Sequence, residues 1–244
     1  AQTYFTENPG EYEIIIINDC SSDTTEEIAK RYTQSGNVLY IKNEENLGIS
    51  RTRNKGIRLA QGKYIAMLDS DDAWVDRTKI SQQISALESD SALAIVGTWM
   101  KKIDEGGAEM APNGLVNFAE SDTAIRASLL YKNHIAQSSV VFRKDVCLSV
   151  GGYDESLATM EDHDLWLKML SKKSPSGAHY KAITLPIYSL GYRIHINSTT
   201  SRKSIRVARD ELTVINRHRK SFEGYFIGYT KGVIRLILAI LGLW

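Results

Sequence analysis

The sequence predicts an α/β fold built on a parallel sheet, and three observations carry that reading. A continuous β-branched run, EIIIIND, ends in polar residues. Helical stretches bounded by glycine alternate with two further apolar runs. Carboxylates stand at the ends of the first and third runs. Unbroken apolar runs suit strands covered on both faces, and strands alternating with helices imply crossover connections.

In chain order, Glu11–Asp19 reads as a strand. Residues 21–36, SSDTTEEIAKRYTQSG, read as a helix: Asp23 with Glu26, or Thr24 with Glu27, offers a capping box, and Gly36 a stop. Val38–Asn43 is a second strand, Gly48–Gly62 a helix and Lys63–Asp69 a third strand. Ligands of such sheets gather at the carboxyl ends of strands, where Asp19 and Asp69 stand. Val75–Asp90 reads as an amphipathic helix, Ala92–Ile103 and His134–Asp145 as strands, and residues 104–114 as a loop. Met160–Lys172 reads as a helix with an acidic first turn and Leu165, Trp166 and Met169 turned inward. Ala182–His195 is extended and Ser201–Lys220 is a long helix.

The 244 residues suit one large domain with a small extension: 1–200 for the α/β unit and 201–244 for a helical C-terminal part. Thirty Lys and Arg against 29 Asp and Glu give a net charge of +1, which argues against a nucleic-acid partner, although Arg202–Lys220 is locally basic. Cys20 and Cys147 are far apart and read as two buried thiols in a reducing cytoplasm. The N-terminus shows no charged-then-apolar leader. Gly232–Trp244, GVIRLILAILGLW, is shorter than the ~20 apolar residues a membrane span needs. It reads as a helix packed on the domain or lying at a membrane surface.

Four segments carry chemistry. LDSDDAW (68–74) sets Asp69, Asp71 and Asp72 just past a strand, where mutual repulsion favours a hard divalent cation; the alternative is Asp72 capping a helix at Val75. Asn18 and Asp19 can bond a nucleobase or ribose, or merely form an Asx turn. Arg51 and Arg53 can meet a diphosphate or base, or form a solvated face. Asp162, in a helical first turn, can be a general base or one charge of an acidic helix start, and the residues alone leave both open. His134 reads as a packed or surface residue. No phosphate-loop, zinc or serine-hydrolase motif is present.

Together QTY (2–4), EIIIINDCSSDTT, NLGISRTRNKGI, GKYIAMLDSDDAW, GGYDESL and EDHDLWLKM resemble the family 2 glycosyltransferases in order and spacing. The resemblance implies the GT-A (Rossmann-like) fold, with a mixed, mainly parallel sheet flanked by helices. The strand that usually precedes the QTY helix is missing from this sequence. It also implies an inverting transfer from a nucleotide-diphosphate sugar, a UDP-sugar, to a carbohydrate or lipid-linked acceptor in surface polysaccharide assembly. Mn²⁺ or Mg²⁺ would be held by Asp69, Asp71 and Asp72. Asn18, Asp19, Asn46, Arg53, Asp69, Ser70, Asp71 and His195 would face the donor, the last within YRIHINSTTS. Asp162 would be the base, with Glu161 and Trp166 at the acceptor. The enzyme would be cytoplasmic, at the inner face of the membrane. The rival readings are a nucleotidyltransferase and an inactive, sugar-nucleotide-binding relative.

Overall fold

The computed structural model describes residues 2–110, 114–195 and 204–243. A short helix α1 (Thr3–Glu7) leads to β1 (Ile14–Asn18), helix α2 (Thr25–Tyr32) and β2 (Val38–Lys42). β1 and β2 pair in parallel, Ile14 opposite Val38 through Asn18 opposite Lys42. Helix α3 (Ile49–Leu59) follows, then a second sheet. Its strands run β3 (Tyr64–Ala66), β7 (Val141–Arg143), β5 (Leu93–Ile103), β8 (Lys181–Arg193), β4 (Ala73–Trp74), with β6 (Leu115–Val116) on β5. β5 and β8 are parallel; the β3–β7, β7–β5, β8–β4 and β5–β6 pairs are antiparallel. The sheet is thus mixed, with more antiparallel pairing than the alternation of elements suggests.

Among the described residues no ladder joins β1 to β3. The segments just before them are tied by a side chain: the Glu13 carboxylate accepts the backbone N–H groups of Gln61 and Gly62 at 2.6 and 3.1 Å. This explains why the four isoleucines of β1 are not enclosed as their run predicts. Ile14 is exposed and Ile15, Ile16 and Ile17 are half-buried.

Several elements differ from expectation, three of them for clear local reasons. The strand expected from His134 shrinks to β7, because residues 137–139 wind into a 3-10 turn and helix α6 (Lys144–Ser149) begins directly after Arg143. Helix α4 (Lys79–Ser89) starts four residues later than Val75, since Ala73 and Trp74 pair with β8 and Asp76 accepts the N–H of Thr78 at 2.7 Å. Helix α5 (Asp122–Leu129), unforeseen, is capped by Ser121, which accepts from Ala124 N–H. In β8 the ladder shifts between Leu185 and Tyr188, around Pro186, which has no N–H to give.

The main core gathers residues from the whole chain. Trp166, in helix α7 (Glu161–Ser171), packs edge-on against Phe142 at 5.8 Å. Val214 and Ile215 of helix α8 (Ile205–His218) and Phe222 join the same cluster. The expected boundary at 200/201 and the end of the YRIHINSTTS segment lie outside the described residues. Helix α9 (Tyr225–Ile240) lies on α8 through glycines: a Cβ on Gly232 would sit 2.7 Å from Leu212 Cδ2, and one on Gly228 3.3 Å from Ile215 Cδ1. Its other face leaves Phe226 83 % exposed, with Ile227, Ile234, Ile237, Ile240 and Leu241 also exposed. Among the described residues no helix is long and apolar enough to cross a membrane.

Candidate active site

The site is assembled around α3. The polar residues Ser50, Arg53 and Asn54 share its buried face with Ile57. Three, four and seven residues apart is the spacing of a core stripe, so a polar group in it must find buried partners. Asn54 finds them in the loop before α7. Its side chain donates to Tyr153 O at 2.9 Å and accepts from Tyr153 N at 2.9 Å. A Cβ on Gly152, which has φ +68°, would lie 2.5 Å from Asn54 Oδ1, so only glycine fits there.

Arg53 finds two carboxylates. Its side chain is 8 % exposed; Nη2 donates to Asp69 Oδ1 at 2.6 Å and Nη1 to Glu161 Oε1 at 2.7 Å. Burial alone would discourage its charge, but Asp69, then Tyr153 and Glu161, hold the guanidinium firmly protonated. Arg53, expected at the diphosphate, is therefore spent inside the protein. Arg51 forms an exposed ion pair with Glu155 at 3.2 Å.

At the end of β1, Asn18 is buried and its side chain is occupied: it donates to Tyr40 OH at 3.0 Å and accepts Ser21 N–H at 2.7 Å. This is the Asx-turn alternative. Asp19 is half-buried and accepts from Asn43 Nδ2 and from the N–H groups of Leu47 and Gly48, at 2.8, 2.9 and 2.9 Å. Burial would raise its pKa, yet these bonds outweigh it and keep the carboxyl below its ordinary range. Gly48, with φ +85°, is the N-cap residue from which α3 begins. Asn46 is exposed and caps the same turn by accepting Gly48 N–H at 3.2 Å.

The three carboxylates of the acidic loop have separate partners. Asp69 meets Arg53, and its own N–H donates to Ser138 Oγ at 3.1 Å. Asp72 accepts the backbone N–H of Arg193 at 2.9 Å; burial raises its pKa, opposed by a hydrogen bond from Ser138. It ties the loop to β8 and caps no helix. Asp71 is the outward one, its side chain 48 % exposed, with Oδ2 3.0 Å from His195 Nε2. Ser70 is exposed on the same turn. Among the described residues no three His, Cys, Asp or Glu side chains are grouped to hold a metal. Of the three aspartates expected at a metal, Asp71 alone faces outward, beside His195, while Asp69 and Asp72 are engaged by Arg53 and by the Arg193 N–H. The Asp71 carboxylate is the kind of oxygen donor that suits a hard divalent cation.

Asp162 sits beside this cluster, half-buried. Oδ2 accepts from Asn133 Nδ2 at 3.0 Å and Oδ1 from His163 N–H at 2.7 Å. Burial raises its pKa; Arg53 opposes the rise and Asp69 adds to it. A half-buried carboxyl with raised pKa has the character of a general base. The neighbouring acids of α7 do other work. Glu161 is buried against Arg53, its pKa raised by burial and by Asp162. Asp164 is fully buried and bonded to Arg217 at 2.8 Å, His218 at 2.9 Å and Lys168 at 3.2 Å, which hold its pKa down to about 2 against burial. Trp166, expected at the acceptor, is corrected to a core residue with no exposed surface, its indole N–H donating to Ile135 O at 3.2 Å. His134 is packed as expected, 2.7 Å from Ser128 Oγ, its pKa lowered by burial to about 4.

The arrangement is that of a GT-A nucleotide-sugar fold. Solved structures of that class superpose on most of the chain: S. aureus TarS with TM-score 0.64 at 14% identity, over 93% of this chain and 37% of that one, and the mannosyltransferase PcManGT of Pyrobaculum calidifontis, in complex with GDP-Man and Mn²⁺, with TM-score 0.62 at 15% identity, over 93% and 61%. The profile of glycosyl transferase family 2 matches residues 2–149, and the chain belongs to that family. Similar proteins include an uncharacterized glycosyltransferase of Methanocaldococcus jannaschii, 30% identical over 74% of this chain and 59% of its own length. The Escherichia coli UDP-Glc:alpha-D-GlcNAc-diphosphoundecaprenol beta-1,3-glucosyltransferase WfaP is 32% identical over 78% and 69%. The chain spans 59% of the length of the first of these and of the Erwinia amylovora amylovoran biosynthesis glycosyltransferase AmsE.

Proposed function

We propose that this chain transfers a sugar from a UDP-sugar to an acceptor hydroxyl, with inversion, in the assembly of a surface polysaccharide. The observation that carries the reading is the meeting of an acidic loop and a separate, half-buried carboxyl, Asp162, at the carboxyl ends of the strands. Asp162 takes the hydroxyl proton as the acceptor oxygen bonds to the anomeric carbon and the bond to the diphosphate breaks. A covalent sugar intermediate is not required, and both oxygens of Asp162 are held by Asn133 and His163 N–H, which fix its direction. Asp71 and His195 would hold Mn²⁺ or Mg²⁺, which when bound supplies charge neutralisation at the diphosphate. Asp19, with the 43–48 turn and Ser70, would face the nucleoside.

The names of relatives support the donor and acceptor classes. WfaP uses UDP-Glc and a diphosphoundecaprenol-linked sugar, and a lipid-linked acceptor accords with the apolar outer face of α9. Lys231 lies over the Tyr131 ring and Arg235 pairs with Glu211, so it is the exposed apolar side chains of α9 that suit a lipid surface. We place the protein on that basis at the inner face of the membrane; of its two free thiols Cys147 is buried as expected, while Cys20, expected buried, is exposed.

The test is a screen of UDP- and GDP-sugars with Mn²⁺, reading nucleotide release and UDP affinity by calorimetry. Asp71→Ala should abolish the Mn²⁺-dependent part of UDP binding. Equal UDP affinity in Mn²⁺ and in chelator would remove the metal from the reading, and UDP binding without turnover of any sugar donor would favour the inactive relative.

A further inference from the structure

Arg53 is bonded to both halves of this site. Asp69, at the head of the acidic loop, lies 16 residues along the chain; Glu161, which opens α7, lies 108 residues along. A guanidinium is a rigid planar fork, so two bonds of 2.6 and 2.7 Å to separate nitrogens fix the two carboxylates relative to each other. Its plane is backed by Tyr153, whose ring centroid is 5.5 Å away and whose hydroxyl accepts from Gln137 Nε2 at 2.7 Å. Asn54, next in the helix, pins Tyr153 through both backbone atoms. The backbone just before α7 is itself constrained. Met160 has φ +63°, costly for a residue with a side chain. Asp210 of α8 braces the approach to it by accepting from Ala158 N, Thr159 N and Thr159 Oγ1, each at 3.1 Å.

We infer that Arg53 is a positioning residue that ties the acidic loop at Asp69 to the first turn of α7, so that the donor side of the site and Asp162 are held as one unit. The inference rests on the proposed role of Asp162, and it assigns Arg53 and Glu161 a task other than contact with donor and acceptor. Arg53 also sets the charge around Asp162. The charged and titratable groups facing that carboxyl are Arg53 from α3, Asp69 from the acidic loop, Glu161 from its own helix and Tyr153 from the preceding loop. Arg53 is the one cation among these four, so the two ends of one ion pair act on Asp162 in opposite senses.

That opposition gives the experiment. The Asp162 carboxyl is followed by ¹³C NMR of aspartate-labelled protein, with its signal identified by loss in Asp162→Asn, and titrated with no donor present. Arg53→Met should move the titration of Asp162 to higher pH, and Glu161→Gln, which keeps a hydrogen-bond acceptor for Arg53, should move it to lower pH. A merely structural pair would lower the melting temperature of both variants and leave the Asp162 titration unmoved, or move it the same way in both; either result overturns the inference. If Arg53→Met does not fold, Glu161→Gln decides alone, by a downward shift or none. On whichever UDP-sugar the wild type turns over, Arg53→Lys, whose single ammonium cannot span both carboxylates, should slow UDP release by on the order of 10²-fold, with UDP affinity little changed. A loss in UDP affinity with turnover kept would return Arg53 to the donor and overturn the inference. The titration needs no substrate, so opposite shifts in a protein that turns over no sugar nucleotide would uphold the coupling while removing the enzymatic reading.

Discussion

Lys79 offers a prediction whose size follows from the structure. Its side chain is fully buried at the start of α4; the ammonium donates to Gln83 Oε1 at 2.7 Å and lies 4.4 Å from the centroid of the Trp74 ring. A neutral amide and a π face replace water poorly, and burial lowers its pKa from 10.5 to about 7. At about 1.4 kcal/mol per pH unit, the interval between those values puts the cost of burying the charge on the order of 5 kcal/mol. Because the folded value lies below the unfolded one, the unfolded chain binds more protons between pH 7 and 10.5. Stability from this residue therefore rises with pH across that window and is lost as pH falls to about 7. Lys79→Met removes the charge and keeps a long chain against Trp74, but it strands Gln83 Oε1, at about 1–3 kcal/mol. The variant should thus be more stable than wild type at pH 6 by about 2–4 kcal/mol. That advantage should shrink by roughly 3 kcal/mol between pH 6 and pH 9. Urea unfolding of both proteins at pH 6, 7, 8 and 9 measures the difference, in which the other titrating groups cancel. A difference that stays flat over that range would refute the argument.

Asp162→Asn should lower turnover by about 10²–10⁴-fold with donor affinity kept. Because folding raises the Asp162 pKa, its ionisation penalty is absent below the unfolded value, grows as pH rises towards the folded value and is full above it, so the variant should gain melting temperature relative to wild type across that interval. Gly232→Leu should push α9 off α8, because Leu212 Cδ2 occupies the space of the new side chain; a fall in melting temperature with α9 newly open to proteolysis checks this. In flotation with vesicles containing anionic phosphatidylglycerol, the chain should rise with the lipid and a variant carrying Phe226→Ser and Ile237→Ser, both at exposed positions of α9, should not. Equal behaviour of the two would discard the membrane contact.

The alternation of strands and helices was readable because punctuation and apolar runs are local properties. EIIIIND, VLYIK and the glycine-bounded α3 all fall within a few residues of the expected ends. The acidic loop and Asp162 were likewise visible as unusual densities of carboxylate. Their division of labour was not. Asp69, Asp71 and Asp72 are neighbours in sequence, yet Asp69 faces a guanidinium, Asp72 a backbone N–H of β8 and Asp71 a histidine 124 residues away. Those choices depend on which elements pack on the loop. Glu161, Asp162 and Asp164 separate in the same way, by the angle each takes around α7. One signal was available and points to Arg53: Ser50, Arg53, Asn54 and Ile57 follow helical core spacing, and polar residues on such a stripe announce a buried network.

The way α8 grips α7 bears on where this protein can be cut. The family profile ends at residue 149, between the acidic loop and the acids of α7. A fragment made to that boundary would keep Asp69 and Arg53 but lose Glu161, leaving a buried cation with half its countercharge. It would also strip Trp166 from Phe142 and open the core that Val214, Ile215 and Phe222 close. A similar injury follows from stopping before α8, since Asp164 would then be left in the interior without Arg217 and His218. The segment that the family profile matches is therefore smaller than the segment that folds, and the C-terminal helices belong to the unit on which any assay of this protein should be built.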